Sequence, residues 1–163
     1  GCFSVYALKS GAKEVVSIDS SKKAITLTDE NVMLNNSEGK HHKSICSDTM
    51  QYLKECPSSY FDLIILDPPA YAKHNSARHN AIQGYKRLNQ LAMEKIKTEG
   101  LLFTFSCSQV VDMQLFSSTV IAAAIASGRQ ARILYRLNQP ADHPISAFHP
   151  EGEYLKGLVL QIL

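Results

Sequence analysis

Asp67-Pro68-Pro69-Ala70-Tyr71 follows directly on the apolar run Leu63–Leu66 and joins a carboxylate, two rigid residues and an aromatic ring. Two prolines fix φ and remove two N–H donors, so the loop is stiff and offers bare carbonyls. A carbonyl there, or Asp67 itself, can accept from the exocyclic amine of a planar base while Tyr71 stacks on it. The plainer use is a stiff strand-to-helix turn. Cys107 ends the next strand-like run, "LLFTFS", and is flanked by Ser106 and Ser108. It is either a small hydrophobe closing a strand or a nucleophile. The second role needs activation, because the thiolate is the reactive species. Donation from Ser106 and Ser108 to the sulfur, with a helix N-terminus near Val111, is the nearest source.

Two more acids end or follow apolar runs. Asp19 closes "KEVVSID", where an acid can accept both hydroxyls of a ribose or cap the helix that follows. Asp48 either caps "TMQYLKEC" or receives an adenine amino group.

These residues need elements to hold them. "KEVVSID" (Lys13 to Asp19) reads as a strand, and Ser20 or Ser21 can cap a helix running to about Asn36, stopped by "NNSEG". A strand around "HKSICS", the short helix "TMQYLKEC" and the strand "YFDLIILD" follow. The unbroken run Leu63–Leu66 suits a parallel strand covered on both faces. Asn80 to Lys97 reads as a helix broken by "TEG" before "LLFTFS". Asp112 to Ser127 is a helix ended by Gly128, followed by strands "QARILYRL" and "KGLVLQIL" around the loop "NQPADHPISAFHPEGEY". Strands alternating with helices imply an α/β fold with a doubly wound, Rossmann-like sheet. In such folds ligands sit beyond the carboxyl ends of the strands, where Asp19, Asp48, Asp67 and Cys107 all fall.

With 163 residues, 45% hydrophobic and 20% charged, the chain reads as one soluble domain, residues 1–163. No stretch approaches a membrane span, and no signal peptide is visible at the N-terminus. Cys2, Cys46, Cys56 and Cys107 form no CxxC pair and read as reduced cytoplasmic thiols, not a disulfide frame or a zinc site. A net charge of +2 does not announce a nucleic-acid binder. Yet from Tyr71 to Met93 there is no acid, while Lys73, Arg78, Lys86 and Arg87 stand with His74 and His79. That bias suits an anionic partner or a solvated helix face. Asp142, His143, His149, Glu151, Glu153 and Lys156 make the last loop polar enough to fold over a cleft, but the His pair lacks zinc-ligand spacing, so no metal is expected.

Taken together, "FSVYAL", "GAKEVVSIDSS", "SDTMQYL", "FDLIILDPPAYAK", "GYKRLNQLAM", "FSCS" and "DHP…PEGEYLKG" resemble the bacterial RlmI-type methyltransferases. Those enzymes use S-adenosylmethionine to make 5-methylcytosine in the 23S RNA of the large ribosomal subunit. The resemblance implies a seven-stranded sheet whose last strand runs antiparallel between its neighbours. It implies cofactor contacts from Gly1, Asp19, Ser20, Asp48 and Asp67, with Asp19 on the ribose and Asp48 on the adenine side. It further implies a base pocket lined by Asp67, Pro68, Pro69, Tyr71 and Lys73, with Cys107 and Asp67 as catalytic residues, Cys107 being the nucleophile; the proton acceptor is Asp67, Lys73 or a water. Of the family's glycine-bearing loop before "CFSVYAL" only Gly1 is present, and its first strand and N-terminal PUA RNA-binding domain have no counterpart. The expectation is therefore an N-terminally truncated domain that binds S-adenosylmethionine weakly or not at all.

Two rival readings remain. An amino-methyltransferase acting on adenine N6 or guanine N2 also uses an acidic Pro-Pro-aromatic loop but needs no cysteine. A non-catalytic RNA-binding or assembly remnant fits the reduced cofactor loop. A nicotinamide dehydrogenase has thinner support, since no G-x-G-x-x-G is present.

Overall fold

A computed structural model describes residues 1–35, 41–72 and 74–163. Lys73 and most of the "NNSEG" helix stop lie outside the described residues. The chain divides into two compact units, Gly1–Glu55 and Cys56–Leu163.

The first unit holds α1 (Cys2–Lys9), β1 (Val15–Asp19), α2 (Lys22–Asn35), β2 (His42–Cys46) and α3 (Thr49–Glu55). β1 and β2 pair in parallel, with Asp19 opposite Cys46. Ser21 Oγ accepts from Ala24 N–H at 3.3 Å, so Ser21 is the residue that caps α2. A polar chain ties the unit together. Ser4 Oγ meets Ser17 Oγ at 2.6 Å, Ser17 Oγ meets His42 Nε2 at 2.8 Å, and His42 Nδ1 lies 3.5 Å from Asp29. Each buried polar group thereby finds a partner, which burial requires.

The second unit holds β3 (Phe61–Leu66), α4 (Arg78–Lys95), β4 (Ile96–Ser106), α5 (Met113–Ser127), β5 (Ala131–Leu137) and β6 (Lys156–Ile162). Its strand order is β3-β4-β6-β5, with β3 parallel to β4 and β6 antiparallel to both neighbours. The antiparallel last strand between two neighbours is thus present as expected. β6 is the most buried strand: Leu158, Leu160 and Ile162 are all at most 1% exposed. α4 and α5 contribute Tyr85, Met93, Phe116 and Val120 to the same core, and the Tyr85 and Phe116 rings meet edge-on at 5.5 Å.

The six strands read from the sequence are all present among the described residues, and they pair as two sheets. Three expectations need correction. Residues Cys2–Lys9, given no element from sequence, form a helix whose N-cap, Gly1, makes no side-chain bond. β3 is not covered on both faces: it pairs only with β4 among the described residues, and Leu63 is 44% exposed. Finally, "TEG" does not separate helix from strand. β4 begins at Ile96, directly after α4, and absorbs these residues as an irregularity between Phe61 and Leu63 of its partner. Glu99 takes a positive φ of 67° there, and a Cβ on Gly100 would lie 2.8 Å from the Asp62 carbonyl.

Candidate active site

The end of β4 sets the position of Cys107, and the loop after β3 runs beside it in the same sheet, since Leu66 pairs with Thr104. Cys107 is half-buried and lines a pocket of about 280 Å³ with Ala70, Ala72, Gln109 and Tyr154. Ala70 and Ala72 belong to the proline-stiffened loop and Tyr154 to the last loop, so three segments of the second unit converge on one sulfur. A larger depression of about 390 Å³ lies in the first unit, lined by Lys13, Glu14, His41, His42 and Lys43. It sits at the amino ends of β1 and β2, the edge at which this class of sheet does not bind ligands.

The two serines beside Cys107 do not serve the sulfur. Ser106 Oγ donates to the Tyr85 hydroxyl at 3.0 Å, and Ser108 Oγ donates to the Ala72 carbonyl at 2.8 Å. Ser108 N–H donates to Ser106 Oγ at 3.3 Å. Both hydroxyls are spent on fixing the walls of the pocket, because buried polar groups must be paired. Tyr85, 1% exposed, is the hub that sequence reasoning missed. Its hydroxyl takes the Ser106 bond and a backbone hydrogen bond from Tyr71, and burial raises its pKa. The Tyr71 ring packs on the Tyr85 ring at 4.7 Å and lies over Gly84, whose absent Cβ would stand 3.1 Å from it. So α4 clamps the DPPAY loop through a ring stack and a phenol.

Pro68 is half-buried, whereas Pro69 and Asp67 reach the surface. Partial desolvation still raises the Asp67 pKa above its ordinary 3.8. A folded-state value raised in this way adds stability below about pH 4 that is lost as pH rises through the folded value. Asp67→Asn is therefore expected to be more stable than the parent at pH 7, with the difference vanishing toward pH 3; paired thermal melts across that range check it. A gap that widens on acidification would reverse the sign.

In the first unit, Asp19 and Asp48 stand at the carboxyl edge of β1 and β2. Asp19 Oδ1 accepts from Ser21 N–H at 2.7 Å, and Asp48 Oδ1 accepts from Gln51 N–H at 2.9 Å as the cap of α3. Each acid thus serves as a local brace, and a carboxylate keeps a second oxygen for a hydroxyl or amine. The Ser20 carbonyl accepts from the Cys46 thiol at 3.5 Å. A Cβ on Gly1 would stand 2.8 Å from the Thr28 side chain, so the backbone approaches α2 closely there.

The last loop is ordered by one amide. Gln139 donates to the His143 and Gly152 carbonyls at 2.9 and 3.0 Å and accepts from Tyr154 and Leu155 N–H at 3.1 and 3.2 Å. Gln109 Nε2 adds a bond to the Glu151 carbonyl at 3.2 Å. His143 pairs with Asp142 and His149 with Glu151, both at 3.2 Å and both exposed. Among the described residues no helix is long and apolar enough to cross a membrane.

A family model described as conserved hypothetical protein 95 matches residues 1–122. A ribosomal RNA large subunit methyltransferase I from Tolumonas auensis is 42% identical over 165 residues, spanning 100% of this chain and 42% of the relative. The chain therefore covers less than half the length of that relative. Among solved structures, SMU.776, a candidate methyltransferase complexed with SAH, superposes with a TM-score of 0.80 at 21% identity, over 98% of this chain and 42% of that one. A candidate SAM-dependent methyltransferase from Streptococcus mutans gives 0.76 at 19% identity, over 98% and 41%. The fold is thus the Rossmann-like α/β fold of methyltransferases.

Proposed function

This chain belongs to the conserved hypothetical protein 95 family, and we propose that residues 1–163 act as the catalytic domain of an S-adenosylmethionine-dependent methyltransferase forming 5-methylcytosine in large-subunit ribosomal RNA. One observation carries the reading: Cys107, at the end of β4, shares a pocket with Ala70 and Ala72 of the DPPAY loop. The likeness to a relative named for ribosomal RNA methylation, at 42% identity, supports the substrate class.

The cofactor would supply an electrophilic sulfonium methyl group. Asp19 and Asp48 fit it, since each spends one carboxylate oxygen on a neighbouring N–H and keeps another for ribose hydroxyls or the adenine side. Gly1 and Ser20 are the further cofactor candidates of the first unit, and Asp67 is a candidate of the second unit by itself. The target cytosine must leave its stack to be reached. Pro68, Pro69, Tyr71 and Lys73 would then hold its plane, and exposed Arg78, His79 and Arg87 on and beside α4 would meet phosphates.

C5 of cytosine is a poor nucleophile. The Cys107 thiolate would add to C6, forming an S–C6 bond and pushing electrons to C5, which would take the methyl group as its bond to the sulfonium sulfur breaks and a neutral thioether leaves. Asp67, whose basicity burial raises, accepts the C5 proton; the S–C6 bond breaks and the thiolate returns.

RNA carrying 5-fluorocytosine tests the scheme, because fluorine on C5 leaves no proton to remove. The protein incubated with that RNA and S-adenosylmethionine is expected to yield a covalent adduct, stable to denaturation and mapping to Cys107. Methyl transfer to RNA without any adduct would favour the amino-methyltransferase and sink the thiol route.

A further inference from the structure

Lys156 opens β6 opposite Ser106, one residue before Cys107 on the facing strand, and is only 9% exposed. Its ammonium donates to the Ser108 carbonyl at 2.8 Å and to the Tyr154 carbonyl at 2.6 Å. Ser108 follows Cys107 in the chain, and Tyr154 lines the pocket with it. The two bonds thus tie the residue after Cys107 to a residue that lines its pocket.

Burying an ammonium is costly unless charge or strong hydrogen bonds answer it. Two neutral carbonyls answer it in part. Burial lowers the Lys156 pKa from its ordinary 10.5, and Cys107 and Asp112 act in the opposite direction. Among the described residues, Cys107 acts on Tyr85 from α4 and on Lys156 from β6, with Asp67 also acting on Tyr85 and Asp112 on Lys156. Lys156 is the cation of these groups.

We propose that Lys156 is the positioning residue of Cys107, bracing the Ser108 and Tyr154 carbonyls on either side of the thiol and presenting the positive charge that its thiolate form faces. The assignment deepens the cysteine-nucleophile reading and rests on it for its catalytic meaning. The strand "KGLVLQIL" carries its own signal, a single charged residue at the head of a strand whose other polar side chain is Gln161.

Alkylation separates this role from a merely structural one. Iodoacetate carries a negative charge and iodoacetamide does not, so a fixed cation beside a thiol favours the former. With the unmodified sequence, the iodoacetate-to-iodoacetamide rate ratio at Cys107, followed by peptide mass spectrometry, is expected to exceed that at exposed Cys46 by about fivefold. Lys156→Met should bring the ratio down to that of Cys46, while Lys156→Arg keeps most of it. Equal ratios at the two cysteines of the parent protein, a measurement that needs no variant, would overturn the proposal. So would a folded Lys156→Met protein that reacts like the parent. If Cys107 obeys the charge at position 156 yet no fluorocytosine adduct forms, the enzymatic reading fails and the thiol–lysine pair stands.

Discussion

Cys107→Ala is expected to lower methyl transfer to RNA by on the order of 10³-fold or more while leaving the protein folded. The chemical half follows from C5 of cytosine, which becomes nucleophilic only once a nucleophile has added at C6. No neighbouring group replaces the sulfur. Ser106 and Ser108 flank Cys107 in the chain, but their Oγ atoms are committed to Tyr85 and Ala72, and an alcohol is far less ionised than a thiol at neutral pH. The structural half follows from position. Cys107 is half-buried in its pocket, and Cys107→Ala deletes a single sulfur atom, so the substitution should cost about 1 kcal/mol. Methyl transfer measured with tritiated cofactor, beside a thermal melt, checks both halves. A Cys107→Ala protein that keeps its full rate would point to an exocyclic amine as the methyl acceptor.

The largest stability effect is expected in β6. Leu160 is 1% exposed and pairs with Leu102 of β4 on one side and Ile133 of β5 on the other. Leu160→Ala deletes three buried carbons from the middle of the four-stranded sheet, between strands that cannot close inward without breaking ladder hydrogen bonds. The expected cost is about 2–5 kcal/mol, the range for a leucine cavity that collapses incompletely. That is a large share of a domain's usual net stability of about 5–15 kcal/mol. Urea unfolding followed by circular dichroism measures it, and a loss below about 1 kcal/mol would mean that the core refills the space. Because Lys156 begins the same strand, the substitution should also loosen the pocket before global unfolding.

How legible these features were depended on how local their causes are. α5 could be read almost to the residue, because Asp112 accepts from Leu115 N–H at 2.8 Å and Gly128 adopts a left-handed φ of 70°; both signals sit in the helix's own sequence. The acids at strand ends were equally visible, since the fold class assigns ligands to that edge. α1 was not visible, because Gly1 offers no side-chain cap and Phe3, Val5 and Tyr6 favour strands as much as helices. The early start of β4 goes with a register shift against β3, where the Asp62 carbonyl leaves no room for a Cβ on Gly100, a relation between two strands. In the pocket, Ser106, Ser108 and Lys156 find their partners 21, 36 and 48 residues away. Residue types there suggest donors, but only tertiary structure says that the serines brace the walls and that the lysine joins them.

Gln139 divides the last loop into two parts with different freedoms. Its amide grips the chain at His143, Gly152, Tyr154 and Leu155, so the stretch from 144 to 148 hangs outside that grip and is exposed throughout. Insertions, deletions or a grafted RNA-reading segment in that outer stretch would leave Tyr154 seated beside the thiol. The loop thus offers a place where target preference can drift over evolutionary time while the reaction centre stays still.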